Sequence, residues 1–174
     1  MPLILFVKAL MKEWSGIEIQ RARQGLEQVS ATVLGHMIFE FSRLEVVLGL
    51  FLVWADGGSD LERPTKIVSE HTFHKKLDFL QELVHVKYSG EQQARLLYAE
   101  WLKDAHAARS NRNDLVHGRW GVDAVNNRVV NVVGLPTSSE QVEKRYTIAE
   151  LKSILERIVK LQTRLAVLRE RWPV

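Results

Sequence analysis

The chain contains no cysteine and only four prolines among its 174 residues. Without cysteine it can form neither a disulfide nor a zinc site that depends on thiolates. This absence is compatible with a reducing compartment, and we expect a cytoplasmic protein. The net charge is only +3, which is weaker than the charge typical of a strongly basic nucleic-acid-binding chain.

Long apolar segments are also missing. The uncharged run Val46–Ala55 is much shorter than the roughly 20 residues of a membrane-spanning helix, so we expect no association with a membrane. The N-terminus is apolar, but Lys8 lies inside the apolar run, whereas a signal peptide begins with its positive charge. Residues 1–16 are therefore compatible with an extra N-terminal helix, a dimer contact or a misplaced start codon.

Length and composition fit a single domain that covers residues 1–174. Apolar residues make up 46% of the chain and charged residues 26%, which is enough for one hydrophobic core and a solvated surface. No internal repeat, low-complexity tract or linker divides the sequence. Gly57-Gly58 and Pro64 indicate one loop, and Ser89-Gly90 indicates a turn.

Four segments show the spacing of apolar side chains that is typical of amphipathic helices. Their apolar residues lie within Leu34–Leu52, Phe73–Val84, Ala94–Ala108 and Ile148–Leu168. The first helix can begin as early as Ile17. Thr147 is the natural N-cap of the last helix, because Glu150 follows three residues later and completes a capping box.

Between the third and the last helical segments the periodicity changes. Trp120–Val125 and Arg128–Val133 are rich in β-branched residues that alternate loosely. Asn126-Asn127 lies between them, and asparagine tolerates the positive φ that a tight hairpin requires. We therefore expect a β-hairpin within residues 119–133, followed by a loop. The predicted fold class is all-α: a four- to five-helix bundle with a β-hairpin inserted before the last helix.

The segment Arg112–Gly118 concentrates side chains that phosphodiester chemistry uses. An arginine, an amide, a carboxylate and a histidine lie within two helical turns, at Arg112, Asn113, Asp114 and His117. A guanidinium binds phosphate and stabilises negative charge in a transition state. An imidazole transfers protons near neutral pH. This segment is therefore the candidate site.

The third helix would carry Arg112 on its core-facing stripe if it remained regular, and burying an unpaired guanidinium is costly. Ser110 and Asn111 are poor residues for a helix interior and good caps. We therefore expect a kink near Ser110 and a new short helix that ends at Gly118 in the left-handed conformation. Asn113 and His117 share a face of that helix, whereas Arg112 and His117 are about 140° apart. This misfit favours a contribution from a second chain.

An arginine, a polar residue next to it and a histidine five positions after the arginine, near a helix junction in a helical bundle, resemble the HEPN superfamily. The matching residues are Arg112, Asn113 and His117, and the layout of residues 30–170 is also similar to that family. The resemblance implies a small helical domain that dimerises and cleaves RNA without a metal ion or other cofactor. It also implies a role as a toxin or defence effector, in which case an antitoxin protein is a further partner.

In a site of this kind, we expect Arg112 to hold the phosphate, His117 to act as acid or base, and Asn113 to orient either of them. Two-fold symmetry would supply two imidazoles and two guanidiniums across one cleft. Attack by the 2′-hydroxyl would leave a 2′,3′-cyclic phosphate. The candidate substrate-binding residues around this catalytic set are Arg109, Asp114, Arg119 and Trp120.

The sequence departs from one group of the family at Arg119. In HEPN toxins that a nucleotidyltransferase neutralises, a tyrosine often takes this position, two residues after the histidine. The arginine argues against that type of antitoxin.

Two other interpretations remain open. The same scaffold could be a non-catalytic regulatory module that binds a nucleotide, RNA or a protein, or a purely structural dimerisation bundle. In either case His117 would cap the helix end, and Arg112 would pair with one of the nearby acids. Those acids are Glu100, Asp104 and Asp114.

Overall fold

The computed structural model describes residues 14–55 and 57–174. The helices are α1 (Gly16–Val53), α2 (Glu62–Glu70), α3 (Phe73–Lys87), α4 (Gln92–His117) and α5 (Ile148–Arg171), and the strands are β1 (Arg119–Asp123), β2 (Arg128–Val133) and β3 (Val142–Tyr146). The predicted helical bundle with a hairpin before its last helix is confirmed. The segment in which we expected an extra helix, residues 1–16, lies almost wholly outside the described residues.

The core forms where α1 packs along α5 and where the antiparallel pair α3 and α4 closes over them. Leu44 and Leu48 of α1 and Leu165 of α5 are completely buried. Trp101 of α4 is also buried, and its indole Nε1 donates to the Leu161 carbonyl of α5 at 2.9 Å. The apolar stripes that the sequence spacing predicts are therefore the faces that meet in the core.

The ends of α1 and α5 are fixed by capping boxes. At α5, the Glu150 amide donates to Thr147 Oγ1 at 3.1 Å, and the Thr147 amide donates to the Glu150 carboxylate at 2.6 Å. Ser15 and Glu18 form the same arrangement at α1. The capping box predicted for the last helix is thus confirmed, and α1 begins one residue before Ile17, the earliest start that we expected.

The segment around Pro64 is helical, contrary to our expectation of a loop there. Pro64 lies in the first turn of α2, where a missing amide proton leaves no helical hydrogen bond unmade. Val68 of this helix is buried against the core. The bundle therefore has its fifth helix here.

The sheet has the order β1-β2-β3 and is antiparallel throughout. The predicted hairpin is present as β1 and β2, and Asn127 at its turn has φ +51°. The prediction missed β3, which pairs with β2 through contacts such as Asn131 with Lys144. No helix in the described ranges has both the length and the apolar character that a membrane crossing requires.

Candidate functional site

The candidate motif lies on the last two turns of α4, which is one uninterrupted helix from Gln92 to His117. The predicted kink near Ser110 is wrong: the Ser110 hydroxyl donates to the His106 carbonyl one turn earlier, at 3.2 Å, so the residue is accommodated within the helix. The predicted left-handed Gly118 is also wrong, because its φ of −82° and ψ of 154° are those of extended backbone. Regular helix geometry therefore fixes the relative directions of the motif side chains.

The sheet holds the C-terminal end of α4. The Asp114 carbonyl accepts from the Gly118 amide and from the side-chain amide of Asn131, each at 2.9 Å. The Leu115 carbonyl accepts from the indole nitrogen of Trp120, also at 2.9 Å. Carbonyls in the last turn of a helix lack partners within the helix. Here strand β1 supplies a donor through Trp120, and strand β2 supplies another through Asn131.

Gly118 is needed for a close approach between the helix end and the sheet. A β-carbon at this position would lie 1.7 Å from Oδ1 of Asn131. Asn131 is completely buried, and its Oδ1 has no hydrogen-bond partner within the described ranges. The sequence analysis missed Asn131, since a polar residue in a short strand gives no sign of what it contacts.

Arg112 lies partly buried between α4 and α1. Its guanidinium carbon is 5.8 Å from the centre of the Phe41 ring, within the range of a cation–π interaction. Its Nη1 is 3.5 Å from Oδ1 of Asn113, which is a long contact for a hydrogen bond. Arg112 makes no ion pair with any carboxylate of residues 14–55 and 57–174.

The acids that could have paired with Arg112 are otherwise engaged or unpaired. Lys144 Nζ lies 2.5 Å from Oδ2 of Asp114, and Arg164 pairs with Asp104. Glu100 has no ion pair within the part of the chain described. The hydrogen bond from Lys144 to Asp114 raises the pKa of the lysine above its usual 10.5. Our sequence analysis missed Lys144, which follows Asp114 by 30 residues.

Asn113 and His117 are both exposed and lie one turn apart on the same face of α4. Because the helix is regular up to His117, Arg112 points about 140° away from His117 around the axis. One chain therefore brings Asn113 and His117 together and places Arg112 on the side that faces α1.

The remaining predicted site residues surround this helix end. Arg109 is half-buried, and its Nε has no hydrogen-bond partner among the described residues. Arg119 is exposed and donates to the side-chain oxygen of Gln141. Trp120 is half-buried with its ring 6.0 Å from that of Tyr146, so its position at the helix end is that of a packing residue.

Comparison with known proteins adds no relative. No protein-family model, no curated protein and no solved structure matches this chain.

Proposed function

We propose that the chain is a metal-independent endoribonuclease of the HEPN type, with Arg112, Asn113 and His117 as its catalytic residues. The observation that carries this proposal is the availability of the Arg112 guanidinium. It has no carboxylate partner among the described residues. Asp114 cannot supply one, because residues two apart on a regular helix point in different directions. A partly buried arginine with a purely structural role is usually stabilised by a paired charge, so the missing partner favours a role in binding an anion.

The chemistry requires a base, an acid and positive charge at the reacting phosphate. One His117 imidazole removes the proton of the 2′-hydroxyl, whose oxygen attacks phosphorus. The bond from phosphorus to the 5′-oxygen breaks, and a second imidazole gives that oxygen a proton. Arg112 holds the non-bridging oxygens while their negative charge increases. The products are a 2′,3′-cyclic phosphate and a free 5′-hydroxyl.

A single chain has only one such imidazole, so the reaction needs two copies of the motif. A two-fold axis beside the exposed face of Asn113 and His117 would supply the second copy. Because Arg112 and His117 are about 140° apart around one helix, each composite site would combine the guanidinium of one protomer with the imidazole of the other. We include in the proposal a cytoplasmic location, a toxin or defence role, and an antitoxin that is not a nucleotidyltransferase.

A non-catalytic RNA-binding module is the second candidate, and the contact between Arg112 and Phe41 favours it. An arginine that is held over an aromatic ring can add positive charge to a binding surface without taking part in catalysis. The two functions differ in one respect, which is whether RNA is cleaved.

The test is digestion of a labelled RNA by the wild type and by His117→Ala, with EDTA present and with analysis of the product ends. We expect wild-type cleavage to persist in EDTA and to leave cyclic phosphates. His117→Ala should lose about 10²- to 10⁴-fold in rate, the usual contribution of a general acid or base. His85→Ala is the matched control, because His85 is exposed on α3 beside residues of the first half of α4 such as Tyr98, and its loss should not change the rate.

Undiminished cleavage by His117→Ala, or cleavage that EDTA abolishes, would contradict the proposal. RNA binding without cleavage by the wild type would instead support the binding module. A mixture of His117→Ala and Arg112→Ala chains tests the composite site, because mixed dimers keep one imidazole and one guanidinium on opposite chains, while water must take the place of the second imidazole. We expect the mixture to recover part of the activity that neither variant has alone.

A further inference from the structure

Two histidines and one aspartate from different helices meet outside the motif. His74 lies in the first turn of α3, Asp78 follows one turn later, and His106 lies on α4. One ligand-type atom from each of the three residues lies within 4.8 Å of the others, the only such group of three that the described residues contain. The pattern was not visible in the sequence, because His106 is 28 residues from Asp78.

The arrangement follows from helix geometry. Residues four apart share a face of a helix, so His74 and Asp78 both point from α3 towards α4, and His74 Nδ1 lies 3.6 Å from Asp78 Oδ1. His106 approaches from α4, with its ring 5.5 Å from that of His74 and inclined by 71°. The separation of 3.6 Å allows an ion pair between His74 and Asp78 but is too long for a good hydrogen bond.

The three groups have the chemistry and the spacing of metal ligands. Two imidazoles and one carboxylate are a set that binds divalent first-row transition ions with positions left open. Ligand atoms about 2.0–2.2 Å from such an ion are about 3.3 Å apart in a tetrahedral site. His74 and Asp78 are exposed and His106 is half-buried, so small rotations of the two exposed side chains would bring the ligand atoms to this distance.

A cation lies beside the three groups. Arg109, three residues after His106 on α4, is close enough to this imidazole to interact with it electrostatically. The charge of Arg109 also opposes a divalent cation, so this site should bind more weakly than one without a neighbouring cation.

We propose that His74, Asp78 and His106 form a binding site for a divalent transition-metal ion of the zinc type, which joins α3 to α4. Asp78 and His106 also line one end of an open groove of about 1290 Å³ between these helices. Water or another ligand can therefore reach the coordination positions that the protein leaves open. The site is separate from the ribonuclease motif, because His106 precedes His117 by three turns, or about 16 Å along the axis.

The experiment is a titration of the whole chain, purified in EDTA and then freed of it, with Zn²⁺ by calorimetry and with Co²⁺ by visible absorption. We expect one ion per chain. Loss of a ligand in His74→Ala, Asp78→Asn or His106→Ala should weaken binding by more than the roughly 10- to 100-fold typical of losing an outer hydrogen-bond partner. Zn²⁺ at 100 times its Kd should raise the wild-type Tm by about 5–10 °C.

His85→Ala is the matched control, since His85 is exposed on the same helix about 10 Å further along its axis from Asp78. We expect this variant and His117→Ala to bind Zn²⁺ like the wild type, whether or not the chain cleaves RNA. Asp78→Asn keeps the size of the side chain, and its far-ultraviolet circular dichroism in EDTA shows whether it is folded. Failure of the wild type to bind, or equal binding by all three ligand variants, would overturn the proposal.

Discussion

Replacement of Gly118 by alanine should destabilise the protein although the backbone at this position suits any residue. The φ of −82° and ψ of 154° cause no strain for alanine. On that ground alone, Gly118→Ala would be expected to stabilise the fold by about 0.4–1 kcal/mol, because it restricts the unfolded chain. The added methyl group, however, would lie 1.7 Å from Oδ1 of the fully buried Asn131.

Asn131 must therefore move, and its 2.9 Å hydrogen bond to the Asp114 carbonyl is lost. A buried polar group without its partner costs about 1–3 kcal/mol, and forcing extra volume into a packed site costs about 1–3 kcal/mol more. The net decrease in the free energy of unfolding should be about 3 kcal/mol after the gain from alanine. For a chain of this size, that corresponds to a Tm lower by about 6–12 °C.

Urea unfolding monitored by far-ultraviolet circular dichroism measures this difference. Gly25→Ala is the matched control, because Gly25 is exposed in α1 and no described atom would lie within 4 Å of its added methyl group. That variant should be more stable than the wild type by about 0.5–1 kcal/mol, the difference in helix propensity.

Two further variants distinguish two possible reasons for a glycine at position 118, which are crowding by Asn131 and the conformation of the backbone. Asparagine tolerates a left-handed backbone, so Gly118→Asn would be mild if conformation were the reason for the glycine, whereas steric crowding makes it as harmful as alanine. In Gly118→Ala/Asn131→Ala the clash is absent, so the double variant should lose less than the two single losses together, by about 0.5–3 kcal/mol. Additive losses, or wild-type stability of Gly118→Ala, would refute the reasoning.

Two charged groups should make stability depend on pH in opposite ranges. Hydrogen bonds from Thr147 lower the pKa of Glu150 below its usual 4.5, so the stability that Glu150 contributes is present above pH 4.5 and is lost as the pH falls through the lowered pKa. Glu150→Gln should therefore have a lower urea midpoint than the wild type near pH 7 but not near pH 2.5. An equal difference in midpoint at both pH values would contradict this. The pKa of Lys144 is raised above 10.5 by Asp114, so its contribution is complete below that value and is lost as the pH rises through the raised pKa. Because the pair is partly exposed, Lys144→Met should lower the free energy of unfolding by only about 0.5–1 kcal/mol near neutral pH. If this loss of stability remained unchanged at a pH where the lysine is deprotonated, the ion pair could not be its cause.

Features set by neighbouring residues were predictable from the sequence. The capping box at Thr147 depends on residues three apart, and the positive φ of Asn127 depends on the residue type within a short turn between two strands. The burial of Leu165 and the other stripe residues of α5 follows from their spacing. In each case the residues responsible are only a few positions apart in the sequence, so a local sequence pattern reveals them.

Features that depend on distant residues were not predictable in this way. Strand β3 reads Val-Glu-Lys-Arg-Tyr and is half-exposed, so it lacks the apolar alternation that marks a strand with one buried face. Its position follows from pairing with β2. The ion pair of Lys144 with Asp114 and the convergence of His106 with His74 also join separate elements, and no local pattern specifies them.

The continuity of α4 shows how such distant contacts override local preference at the candidate site. Ser110 and Asn111 favour a break by propensity, but that preference amounts to less than about 1 kcal/mol per residue. The last turn of α4 accepts hydrogen bonds from Asn131 and Trp120, and each contributes about 0.5–1.5 kcal/mol to stability. These bonds form only if the helix continues unbroken to the sheet, so together they outweigh the local preference for a break. The sheet therefore has a definite role in the site: by capping α4 it holds the turn between Arg112 and His117 in helical geometry, so that a change in the sheet should alter the site without touching either residue.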